Sequence, residues 1–216
     1  MKSNPAARRP IKSRDTSFAR KGAQLLLKSG LSPNAISVIS VIFSLLAAAC
    51  IFAGGAQRSL DSWCFWLGAI LLIQCRLLCN LFDGMVAVEG GKGTANGDLY
   101  NEVPDRLSDV ILFSVAGYSC LHPILGSGLG WFCSIGCLLT AYIRLHGASL
   151  TQAHDFGGPM AKAQRMFFLC VTLALVPFSE NWGADPLLIG LGVIGAGALL
   201  TFTLRLRRLS NKLSKV

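Results

Sequence analysis

Residues 76–109 read RLLCNLFDGMVAVEGGKGTANGDLYNEVPDRLSD. Six of the eleven acidic residues, Asp83, Glu89, Asp98, Glu102, Asp105 and Asp109, fall in this run. Arg76, Asn80, Asp83 and Ala87 recur at steps of four, three and four, so they share one helical face. Asn101, Asp105 and Asp109 share a face of the next helix, as do Asp98, Glu102 and Asp105. Turned towards each other, the two faces make a cluster of carboxylates and amides. Oxygen-only ligands select hard cations, Mg²⁺, Mn²⁺ or Ca²⁺, which usually serve phosphate substrates. Gly84, Ala87 and Gly97 would let a ligand approach the backbone closely. Helix packing by small residues explains the same spacing equally well.

Outside this run the chain turns apolar. Of 216 residues, 52% are hydrophobic and only 14% charged, against roughly 25% charged in soluble domains. A soluble α/β enzyme, a disordered chain and a collagen-like chain are thereby excluded. Stretches 29–57, 62–75, 110–143, 166–179 and 186–204 carry no charge. A helix needs about 20 mostly apolar residues to cross the hydrocarbon. Stretch 110–143 is too long for one crossing, and His122-Pro123 with Gly126, Ser127, Gly128 and Gly130 is read as its break. The expected fold is an all-α polytopic membrane protein with six spans near 35–55, 63–87, 103–121, 127–147, 164–181 and 186–206, the fifth reaching towards the interfacial anchor Trp182.

Net charge is +9, and the cations flank these spans. Lys2, Arg8, Arg9, Lys12, Arg14, Arg20, Lys21 and Lys28 precede the first span, and Arg205, Arg207, Arg208, Lys212 and Lys215 close the last. Lys92 and Lys162 lie in loops expected on the same side, and Arg58 is the one cation expected opposite. The bias puts both termini in the cytoplasm. Cations divided among segments flanking lipid spans argue against nucleic acid as the partner. Residues 17–27 set Phe18 and Leu25 against Arg20, Lys21 and Lys28, an in-plane amphipathic helix. The chain divides into a basic segment 1–30, a transmembrane domain 31–208 and a basic tail 209–216. The eight cysteines lie in apolar runs away from His and read as packing residues.

The string Asn80-x2-Asp83-Gly84-x2-Ala87-Val88-x8-Gly97-x3-Asn101-x3-Asp105 resembles the CDP-alcohol phosphotransferase signature D-x2-D-G-x2-A-R-x8-G-x3-D-x3-D at every interval. Ser32-Pro33-Asn34 entering the first span and the basic Lys162 and Arg165 opening the fifth extend the likeness. It implies a membrane transferase of phospholipid biosynthesis: a CDP-linked lipid donor such as CDP-diacylglycerol, an alcohol acceptor, release of CMP, and two divalent metals, Mg²⁺ or Mn²⁺. It further implies a multi-pass protein of the bacterial inner membrane, working as a homodimer among membrane lipids. Carried over by position, Asp83 and Asp105 are metal ligands, Asp105 is also the base, Asn80 and Asn101 offer carbonyl oxygens, and Gly84, Ala87 and Gly97 face the nucleotide. Lys162 and Arg165 would bind the acceptor's phosphate or the diphosphate.

The chain departs from the signature at three positions: Asn80 and Asn101 replace aspartates and Val88 replaces arginine. Glu102, Asp98 or Asp109 is expected to make up the missing charge, and Arg76 either balances the cluster or pairs with a polar neighbour. Two other readings stay open, a silent relative that binds nucleotide, metal or lipid without turnover, and a small ion-coupled transporter.

Overall fold

The computed structural model describes residues 16–57, 62–91, 96–181 and 184–214. The basic residues before Thr16, together with Arg58, Lys92, Trp182 and Lys215, lie outside the described residues. Among the described residues the chain forms α1 Ser17–Lys28, α2 Pro33–Gln57, α3 Trp63–Glu89, α4 Gly97–Tyr118, α5 Pro123–Thr151, α6 Lys162–Leu175 and α7 Pro186–Leu213, with α6 continued by a 3-10 turn, Val176–Asn181. The chain is a polytopic membrane protein. Helices α2, α3, α5 and α7 are each long and apolar enough to cross a bilayer. The other two expected spans differ in kind: α4 carries five charged side chains within residues 98–109, and α6 has only 14 residues before the 3-10 turn.

Two boundaries depart from the expectation. Helix α4 starts at Gly97, not near 103, so Pro104 sits in its interior. The Tyr100 N–H already bonds the Asn96 carbonyl at 3.2 Å, and one helical turn forms before the proline removes a donor. Helix α5 starts at Pro123, with proline in the first turn, where its missing N–H has no intrahelical partner to lose. Gly126, Ser127, Gly128 and Gly130 therefore belong to the helix and not to the loop. Gly126 and Gly130 let α5 come against α4 at Gly117, where a Cβ on Gly117 would stand 2.4 Å from the Gly126 carbonyl oxygen and 2.9 Å from Gly130 Cα. Those neighbours are backbone and cannot swing aside. Gly117→Ala should therefore destabilise the protein by about 1–3 kcal/mol, read as a lowered Tm in detergent.

The interior is built from Ile51, Trp66, Ile73, Phe113, Leu169 and Ile194 with Cys120, Cys133 and Cys137 among them. The three cysteines named here pack as small apolar groups. One end of the bundle gathers the chain's polar contacts. There α1 lies against α3, with Ala19 and Ala23 buried on Met85 and Phe82 while Phe18 and Leu25 stay exposed. At the same end Arg205 of α7 donates to the carbonyls of Gly157 (2.8 Å) and Thr140 (2.6 Å), and Arg208 pairs with Asp155 at 2.9 Å. At the far end Asp185 caps α7 through the Leu187 N–H at 3.0 Å and accepts from the Leu121 N–H at 2.5 Å, tying the α4–α5 turn to it.

Candidate functional site

The polar faces of α3 and α4 do turn towards each other, at the polar end of the bundle. Asp83 is only 4% exposed. Its Oδ2 accepts the Ser37 hydroxyl of α2 at 2.6 Å, and its Oδ1 is buried without a hydrogen-bond partner. Asp105, opposite on α4, is also buried. Its Oδ1 accepts the Asn80 side-chain N–H at 2.8 Å and its Oδ2 accepts the Lys162 ammonium of α6. Two guanidiniums stand slightly farther off, Arg76 at 3.6 Å from Oδ1 and Arg106 at 3.7 Å from Oδ2. Asn80 thus meets Asp105 as a donor, where a carboxylate in its place would repel.

A second tier lies deeper. Asp109 is wholly buried between Arg76 Nη2 at 2.7 Å and Arg165 Nη2 at 3.1 Å. Arg76 also donates to the Asp105 carbonyl at 3.2 Å, and Arg165 to Thr140 Oγ1 and the Met160 carbonyl, both at 3.1 Å. Two cations enclosing one carboxylate leave a positive potential beneath Asp105. Buried charges of this kind hold only where hydrogen bonds fix them. Arg165 stands one turn below Lys162, is 2% exposed, and its guanidinium joins α6 to α4 and α5. Arg76 takes both of the roles expected of it.

The remaining expected residues sit around the mouth. Glu102 does not join the Asp83–Asp105 pair; Arg144 at 2.5 Å and Arg106 at 3.4 Å hold its carboxylate. Asn101 and Asp98 are exposed. Gly84, Ala87 and Gly97 are half-buried, and Gly97 is the first residue of α4. Ser37 was not among the residues singled out in the sequence. Its signal is the spacing Ser37, Ser40, Ser44, a buried polar stripe on an otherwise apolar α2.

Among the described residues no three His, Cys, Asp or Glu side chains converge as a ready metal cage. What converges is a pair of carboxylates with neutral oxygens beside them. The orphaned, buried Asp83 Oδ1 is the observation that fits a cation, since an unpaired carboxylate oxygen away from water is costly to keep. The all-oxygen donors suit Mg²⁺ or Mn²⁺.

No family model matches the chain. Sequence relatives do. Phosphatidylinositol phosphate synthase of Mycobacteroides abscessus is 22% identical over 197 residues, covering 85% of this chain and 80% of the relative. The protein of the same name from Mycolicibacterium smegmatis is 23% identical over 178 residues, 74% of this chain and 70% of its own. Archaetidylinositol phosphate synthase of Aeropyrum pernix is 26% identical over 122 residues, 56% of this chain and 61% of its own. The fold matches crystal structures of Mycobacterium tuberculosis phosphatidylinositol phosphate synthase. With CDP-DAG bound, that protein aligns at a TM-score of 0.69 and 19% identity, over 88% of this chain and 92% of its own. In complex with manganese and citrate it aligns at 0.70 and 20%, over 88% and 87%. The signature intervals and these distant relatives, all under 30% identical, agree in likening the chain to the CDP-alcohol phosphatidyltransferases, and the solved structures share its fold.

Proposed function

We propose that the chain is a transferase that moves a phosphatidyl group from a CDP-linked lipid donor, such as CDP-diacylglycerol, to an alcohol, releasing CMP. In this reading α4 and α6 complete six spans, α1 lies in the membrane plane, and both termini face the cytoplasm. The observation that carries the reading is the pair Asp83, with one orphaned oxygen, and Asp105, with one oxygen on the partly exposed Lys162, on facing helices at the polar end. A transporter needs a pathway to the far side, whereas this cluster is closed beneath by the Arg76–Asp109–Arg165 tier.

A divalent cation, when bound, would supply positive charge to the diphosphate and to the departing CMP, with Asp83 and Asp105 holding it. The chain's own groups do the rest. Asp105 takes the proton of the acceptor hydroxyl as the new O–P bond forms and the P–O bond to CMP breaks. Lys162, with 21% of its side chain exposed, can leave Asp105 for an anionic oxygen of the substrate. Ser37 keeps Asp83 facing the cleft. Gly84 and Ala87, with no bulk beyond Cβ, leave room for the nucleotide beside Asp83.

The test is CMP release by the purified chain with CDP-diacylglycerol, Mg²⁺ or Mn²⁺, and a panel of alcohols that includes inositol phosphate. Release that needs both metal and one acceptor is expected. Nucleotide binding with no release across the panel would instead make the chain a silent relative.

A further inference from the structure

The resemblance implies two dications held among four carboxylates. At the same four positions this chain has Asn80, Asp83, Asn101 and Asp105, and only two of them carry charge. One helical turn before Asn80, on the same face, stands Arg76, which has 0% exposure. We propose that this chain holds one divalent cation, between Asp83 Oδ1 and Asp105 Oδ2, and that the fixed guanidinium of Arg76 replaces the charge of the second. The proposal deepens the transferase reading and rests on it for the identity of the site.

The geometry separates the four carboxylate oxygens into two pairs. Asp83 Oδ2 is held by Ser37, and Asp105 Oδ1 by Asn80, with Arg76 at 3.6 Å. Ser37 and Arg76 are buried and Asn80 is half-buried, so none can swing into solvent to free an oxygen. Asp83 Oδ1, by contrast, has no partner, although it is buried. Asp105 Oδ2 is met by Lys162 and Arg106, whose side chains are 21% and 19% exposed, more than those of Ser37 or Arg76. Asp83 thus offers one oxygen without a partner, and Asp105 one that the cation would take over from Lys162, enough for a single cation that takes its other ligands from neutral oxygens and phosphate.

Charge points the same way. One dication and two carboxylates are neutral together. A second dication would find no further carboxylate at the four positions to hold it and would lie within reach of Arg76, whose Nε and Nη1 already lie buried with no partner. In a medium of low dielectric the repulsion between the two is screened less than in water. Glu102 cannot relieve it while Arg144 and Arg106 hold it, and Asp109 is already divided between Arg76 and Arg165.

The experiment counts metal rather than turnover. The full chain in detergent micelles is titrated with Mn²⁺ in the presence of CDP-diacylglycerol, and bound metal is followed by electron paramagnetic resonance and by elemental analysis. One Mn²⁺ per chain with an uncoupled six-line spectrum is expected. Two exchange-coupled ions, or none, would overturn the proposal even if CMP were released, and one ion without CMP release would leave it standing while removing the transferase reading. The double variant Asn80→Asp with Asn101→Asp should take up a second, coupled ion; a variant that stays at one would show that the missing carboxylates do not set the number. Arg76→Gln should raise the affinity for the first ion by about tenfold or more, because a fixed cation beside Asp105 is gone. Arg76→Lys keeps both the charge and the wild-type affinity. Equal affinity in the Gln and Lys variants, both eluting as folded protein, would remove Arg76 from the account.

Discussion

Asp105→Asn is expected to lower the rate of CMP release by roughly 10² to 10⁴, the range lost with a general base, while leaving the protein folded. The substitution keeps the volume of the side chain and the reach towards Asn80. It removes the negative charge that Lys162 and Arg106 now face, and it removes the oxygen that takes the acceptor's proton. Asp105 stands at the mouth of the site with 8% of its side chain exposed, so an amide there is solvated in part and the helices have no reason to part. The check is single-turnover CMP release at saturating donor beside a thermal melt of the same sample. A variant that releases CMP at the wild-type rate would mean the base lies elsewhere, and Asp109 one turn inward would be the carboxylate to test.

Asp109→Asn should give the opposite pattern. Its carboxylate has no exposure and is the shared counterion of two guanidiniums, Arg76 on α3 and Arg165 on α6. Neutralising it leaves two cations enclosed without a counter-charge, and breaking a buried pair from one side is worth about 3–5 kcal/mol of lost stability. Membrane-inserted protein should fall, and the melting temperature should drop well beyond that of Gly117→Ala. Whatever fraction folds should turn over at close to the wild-type rate, since Asp109 meets neither the open oxygen of Asp83 nor that of Asp105. A melt unchanged from wild type would show that Arg76 and Arg165 find other partners.

Helices α2, α5 and α7 were legible as crossings because each overlaps a charge-free run of some twenty residues or more, which has few alternatives in any protein. The start of α4 was not, because the proline at 104 and the acids before it read as a boundary, while the structure pairs Glu102 with Arg144 of α5 and carries the proline through the helix. The meeting of the α3 and α4 polar faces followed from steps of three and four. What those steps could not reveal is which partner each acid takes from a distant helix: Ser37 from α2, and Lys162 and Arg165 from α6, are separated from their carboxylates by 46, 57 and 56 residues. Periodicity ranked Asp105 and Asp109 alike. Their depth separates them, because one turn along the helix moves a side chain from the mouth to the sealed floor.

The loop that delivers Lys162 is held by the last helix. Met160 donates its backbone N–H to Thr201 at 2.9 Å, Gly157 accepts from Arg205, and Asp155 pairs with Arg208, so residues 155–160 are tied to α7 at three points before α6 begins. During synthesis the two aspartates of the site enter the membrane first, more than eighty residues ahead of these anchors. Until α7 has inserted, the loop leading to the lysine lacks these three ties. The order of translation therefore keeps the cleft incomplete to the end, and a chain cut short before its final helix carries the carboxylates without the assembled mouth.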